Sequence, residues 1–140
     1  MPLQIIATEG VLTPDTEKQA FKELTQLLLE LHGLSGNAFM TPNVVGEVSI
    51  LPRGRTFSGG EPAEIVVFEL KVPSAVLTEQ KLRDDWISRG TDIIEKAAKG
   101  NVPRERIFGN VVYALEGAWG LGGIAYDNPA LGAAIAGQAA

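Results

Sequence analysis

The 140-residue chain contains no cysteine. Disulfides are therefore excluded, and a reducing compartment fits without being required. Positive charge is outnumbered, with 12 Lys and Arg against 17 Asp and Glu, a net charge of −5 and a pI near 4.9. That balance argues against a nucleic-acid or anionic-membrane partner, so an anionic substrate has to be met by local cations. No basic stretch followed by an apolar one opens the chain, and no signal peptide is expected. No apolar run approaches the roughly 18 residues that read as a membrane span, which makes the cytoplasm the expected location. The glycine clusters, Gly59-Gly60 and Gly120 with Gly122-Gly123, fit neither GxxxxGK[ST] nor GxGxxG and read as tight turns. No cofactor and no metal is expected.

What remains is ordinary for a globular chain: 45% hydrophobic and 21% charged residues. A single domain of this length buries about two thirds of its unfolded surface. "LQIIAT" at 3–8 is short, apolar and β-favouring. A helix follows, with Thr13 as N-cap, Pro14 at the first helical position and Asp15 and Glu17 in the first turn. Ala20, Phe21, Leu24, Leu27, Leu28 and Leu31 form its apolar stripe, and Gly33 closes it. "NVVGEVSIL" then reads as a second strand.

The order repeats. "AEIVVFELKV" is a nearly continuous apolar strand, a helix capped at Thr78 runs to Gly100, and "NVVYAL" closes the unit. Leu12-Thr13 matches Leu77-Thr78, and Asn43-Val44-Val45 matches Asn110-Val111-Val112, at intervals of 31 and 33 residues. The expected fold is α+β: two right-handed βαβ units, about 3–52 and 63–116, sharing one four-stranded sheet with two helices on one face. The domain spans 1–126, and 127–140 is a small-residue tail, either disordered or capping a neighbouring subunit. The other sheet face is bare and too apolar for water, so oligomerisation is expected.

The chain opens "MPLQII". Methionine before proline is usually trimmed, which leaves Pro2 as a terminal secondary amine held in a ring. An α-amino group has an ordinary pKa near 7.7–8.0, and an apolar pocket lowers it, so such a group can be a neutral base at physiological pH.

"MP" before a strand, the duplicated βαβ, "FSGGEPA", "NVVYALEGA" and "WGLGG" together resemble the tautomerase superfamily. This family includes the 4-oxalocrotonate tautomerase, migration inhibitory factor and malonate semialdehyde decarboxylase branches, whose members share an N-terminal catalytic proline. The resemblance covers nearly all of residues 1–126. It implies a homotrimer with an internal barrel and a site near Pro2, where the amine carries a proton between keto and enol forms of a small 2-keto acid. The implied activity is that of a cofactor-independent isomerase.

Other site residues follow from position and resemblance. Lys71 in "FELKVPSA" is placed to bind a carboxylate, and Val72 falls where the inhibitory factor lines its pocket. Tyr113 matches a pocket tyrosine reaching a neighbouring subunit's site, and Trp119 is placed to wall the pocket or pack an interface. His32, in the last turn of its helix, has a sufficient structural role there. "LHGLSG" is nevertheless similar to the histidine segment of the cis-3-chloroacrylic acid dehalogenase branch. Arg53 and Arg55 are loop cations able to steer an anion. Departures from the family weigh against dehalogenation and decarboxylation: no arginine stands in "KVPSAVLTEQ", and no acid in "GLSGNAFMTPN". Three alternatives stay open: a non-catalytic trimeric binding module, a promiscuous hydratase or dehalogenase-like relative, and an unrelated ferredoxin-like domain.

Overall fold

The computed structural model describes residues 1–137. Its elements run β1 (Pro2–Thr8), α1 (Pro14–Leu31), β2 (Val45–Leu51), β3 (Phe57–Ser58), β4 (Glu61–Pro62) and β5 (Val66–Pro73). They continue with α2 (Gln80–Ala98), β6 (Ile107–Ala114), β7 (Trp119–Leu121), β8 (Ile124–Tyr126) and α3 (Asn128–Ile135). The main sheet has the order β2-β1-β5-β6. Each βαβ unit contributes a parallel pair, β1 with β2 and β5 with β6, and β1 meets β5 antiparallel. This is the α+β architecture of two βαβ units on one sheet that the sequence led us to expect.

Thr13 caps α1 reciprocally: its side chain accepts from the Thr16 amide at 3.2 Å, and the Thr16 hydroxyl accepts from the Thr13 amide at 2.8 Å. The stripe of α1 buries Ala20, Leu24, Leu27, Leu28 and Leu29. α2 begins later than the expected Thr78 cap. Its N-cap is Glu79, which makes no side-chain capping bond, and the helix ends in left-handed Lys99 (φ +50) and Gly100 (φ +83). The Asn-Val-Val landmarks are not structurally equivalent, because the first leads into β2 while the second lies inside β6.

Leu3, Ile5, Ala7, Val66, Phe68, Leu70 and Val72 line the helix-covered face of the sheet, all fully buried. Phe68 meets Trp86 of α2 edge-on, with ring centroids 5.9 Å apart. Gly90 and Gly109 make room for that ring, since a Cβ on either would stand 2.6 or 2.5 Å from it.

The opposite face is less uniformly apolar than the run "AEIVVFELKV" suggested. A polar row crosses its middle, with Gln4 donating to Glu47 at 2.8 Å and Asn110 donating to Glu69 at 3.5 Å. Exposed apolar side chains flank this row, among them Val45, Val112 and Phe108. The segments read as turns form two short hairpins, β3–β4 and β7–β8. The start of the small-residue tail folds back as α3, with Leu131 in the same core as the sheet and helices. Asp127 caps α3 by accepting from the Ala130 amide at 2.8 Å. Among the described residues no helix is long and apolar enough to cross a membrane.

Candidate active site around the N-terminus

The first residue ahead of β1 ends in a cavity. Met1 is only 4% exposed, and together with Leu28, Leu29, His32, Val76 and Leu131 it lines an apolar space of about 120 Å³. Four elements converge there: the end of α1, the start of β1, the loop after β5, and α3. The Met1 amine donates to the carbonyl of Asn43, a residue steadied by its own bond to the Phe39 carbonyl at 2.7 Å. Burial of this amine lowers its pKa to about 6, so it is largely neutral at pH 7.

Pro2 pairs with Val45 at the start of both strands, and its ring is exposed on the outer face. Behind Met1 its nitrogen is an amide with neither proton nor charge. Lys71 lies beside it, the two lining a hollow of about 100 Å³ with Gln4, Glu47 and Glu69. The ammonium is largely exposed and 3.9 Å from the carboxylate of Glu69. Val72, by contrast, points the other way, because neighbouring strand residues face opposite sides. It is fully buried in the core, and the residues of this segment that line the cavity are Ala75 and Val76.

The remaining sequence candidates divide. His32 lines the Met1 cavity and accepts from the Leu77 amide through Nε2 at 3.3 Å. Its burial holds the imidazole below its ordinary pKa, favouring the neutral form. Tyr113 donates its hydroxyl to the carbonyl of Leu77 in its own chain at 2.6 Å. Trp119 is buried and packs on Tyr126, with centroids 5.7 Å apart, and Tyr126 continues to Phe39 at 6.1 Å. That aromatic ladder ties the β7–β8 hairpin to the segment after α1. Arg53 pairs with Glu64 at 2.7 Å, and Arg55 is exposed beyond the end of β2. Because Thr8 pairs with Leu51 there, Arg55 lies a strand length, roughly 20 Å, from Pro2 of its own chain. Among the described residues no group of His, Asp and Glu is arranged to hold a metal.

Four contributors escaped the sequence reading: Met1 as cavity filler, Leu77, Arg83, which donates to the Leu77 carbonyl at 2.9 Å, and α3. Only α3 carried a usable sequence signal, in Asp127 followed by Pro129.

Solved structures share this arrangement over nearly its whole length. One is Pt0534, crystallised after inactivation by 2-oxo-3-pentynoate, with TM-score 0.76, 16% identity, and 94% of this chain and 99% of that chain covered. Another is N1, a member of the cis-3-chloroacrylic acid dehalogenase family, with TM-score 0.75, 14% identity, and coverage of 92% and 85%. A third is a fused 4-OT wild-type symmetric trimer, with TM-score 0.76, 12% identity, and coverage of 94% and 99%. The fold is that of the tautomerase superfamily. No protein-family model and no curated protein matches the sequence, so the likeness to tautomerases is one of architecture, carried by element order and pairing.

Proposed function

We propose that the chain is a cofactor-independent keto–enol tautomerase once Met1 is removed, with Pro2 as base and acid, working on a small 2-oxo or enol carboxylic acid. The observation that carries this reading is the burial of Met1 in an apolar cavity immediately ahead of Pro2. Excision would turn the Pro2 nitrogen into a terminal secondary amine and vacate the space that Met1 fills. Burial lowers the pKa of the Met1 amine, one residue ahead of Pro2, to about 6. Under this reading the freed Pro2 amine is lowered in the same direction, as suits a group that must both take and return a proton near neutrality.

In the step itself, the neutral amine takes a proton from the carbon next to the substrate carbonyl. The C–H electron pair becomes the enolate double bond, negative charge moves to oxygen, and the prolinium returns the proton at oxygen or carbon. Lys71, beside Pro2 on the outer face, supplies the cation for the substrate carboxylate. A homotrimer is the expected assembly, in which the apolar rows of the outer face are covered, as the trimeric 4-OT neighbour suggests. A cytoplasmic location completes this reading. A non-catalytic trimeric binding module is the second reading, favoured by the engagement of both His32 and Tyr113 within the chain.

Intact mass followed by an enol-to-keto assay on phenylpyruvate, beside Pro2→Ala, separates the two. Met1-free protein that turns over, with at least a ~100-fold loss in Pro2→Ala, supports the enzyme. Activity unchanged in Pro2→Ala overturns it. Pt0534 is inactivated by 2-oxo-3-pentynoate, and under this reading the same compound adds to the Met1-free chain but not to Pro2→Ala.

A further inference from the structure

The loop joining β5 to α2, residues 74–79, carries Ala75 and Val76 into the wall of the Met1 cavity. At its centre Leu77 is fully buried and sits at φ +51. A bulky non-glycine residue stays in that region only where its surroundings hold it. Here they do so through its backbone. The amide of Leu77 donates to His32 Nε2 at 3.3 Å. Its carbonyl accepts from the Tyr113 hydroxyl at 2.6 Å and from Arg83 Nη1 at 2.9 Å. Arg83 also donates to the Thr78 carbonyl at 2.7 Å, and Ser74 at the head of the loop bonds Asn128 of α3 at 3.2 Å. A buried peptide group needs partners, and this loop obtains them from the end of α1, from β6 and from α2.

We propose that His32, Tyr113 and Arg83 are positioning residues that act through Leu77, fixing the 74–79 loop as a wall of the Met1 cavity. They set how well a substrate is held and do not transfer its proton. An imidazole that accepts at Nε2 carries its proton on Nδ1, so the bond to Leu77 also fixes the His32 tautomer. The Tyr113 proton is committed to a carbonyl and is not offered to an enolate. The kinetic part of this inference rests on the Pro2 reading, whereas the structural part does not.

The test uses full-length, Met1-free protein and reads amide hydrogen exchange at Val76 and Leu77 beside steady-state kinetics on phenylpyruvate. His32→Ala, Tyr113→Phe and Arg83→Met are each expected to speed Leu77 exchange roughly tenfold, the equivalent of one hydrogen bond. KM is expected to rise several-fold with kcat little changed. His32→Gln, which restores an acceptor near the Nε2 position, is expected to bring exchange and KM back. Tyr113→Phe loses one oxygen and keeps its ring, so it carries the test if His32→Ala fails to fold. Unchanged Leu77 exchange in Tyr113→Phe overturns the proposal, as does a fall in kcat at constant KM. Faster exchange in variants of a parent that never turns over the enol acid leaves this loop anchor standing and removes the Pro2 reading.

Discussion

Leu12-Thr13 and Leu77-Thr78 occupy the same place in the two halves of the chain, between a strand and the helix that follows it. The first pair does what its sequence suggests: Thr13 is extended (φ −97, ψ 163) and caps α1 within four residues of itself. The second pair does not. Leu77 is turned to φ +51, Thr78 caps nothing, and α2 starts at Gln80. The difference lies in the partners. The bonds that shape the first turn join residues three apart, whereas the second adds to the nearby Arg83, six residues on, bonds that reach Leu77 from 45 residues away at His32 and 36 away at Tyr113. One turn is local and the other is tertiary, and the tertiary one lies against the candidate site.

The halves also differ in how they tolerate bulk. In the second, Phe68 is clasped between Gly90 and Gly109, and Phe68→Ala is expected to cost about 3–5 kcal/mol in denaturant unfolding, the largest effect among these changes. In the first, a Cβ on Gly46 would stand 1.7 Å from the carbonyl oxygen of Leu3, a backbone atom that cannot swing away. Gly46→Ala is expected to cost about 1–3 kcal/mol, read as a lower denaturation midpoint. A neutral result there would show that the β1–β2 pair yields more readily than the second half does.

The two Leu-Thr pairs give the sharpest contrast at smaller size. Thr13→Ala is expected to lose about 1 kcal/mol with its cap, whereas Thr78→Ala is expected to stay within about 0.5 kcal/mol. Equal losses would show that the two turns depend on their threonines alike.

The smallest effect concerns pH. Burial holds folded His32 below its ordinary pKa, so just below about 6.5 the unfolded chain binds the proton more readily than the folded one. Stability therefore rises with pH through that window and is lost as acid is added. His32→Gln is expected to flatten this part of the curve. The midpoint difference between parent and variant from pH 7 to pH 5 isolates the effect, because the terminal amine is common to both.

Much of the frame was legible from residues. The stripe of α1 and the cap at Thr13 are local patterns, and the structure follows them, whereas β5, read as a nearly continuous apolar run, alternates between a buried face and an outer face that carries Glu69 and Lys71. The site was legible only in part. Lys71 and Val72 were read as one group, although the alternation of a strand already sets them on opposite faces, one exposed beside Pro2 and one in the core. The hydroxyl of Tyr113 bonds a carbonyl of its own chain, a partner 36 residues away that no local pattern announces.

The sequence by itself determined the order of the two βαβ units, the faces of their helices and the position of Pro2 at the head of β1, because periodicity, capping and turn chemistry act over a few residues. Only the tertiary structure decided that Met1 fills a cavity, that α3 helps to enclose it, and that Leu77 is held at positive φ. Those outcomes depend on groups brought together from distant parts of the chain, and no local pattern of residues encodes such a meeting.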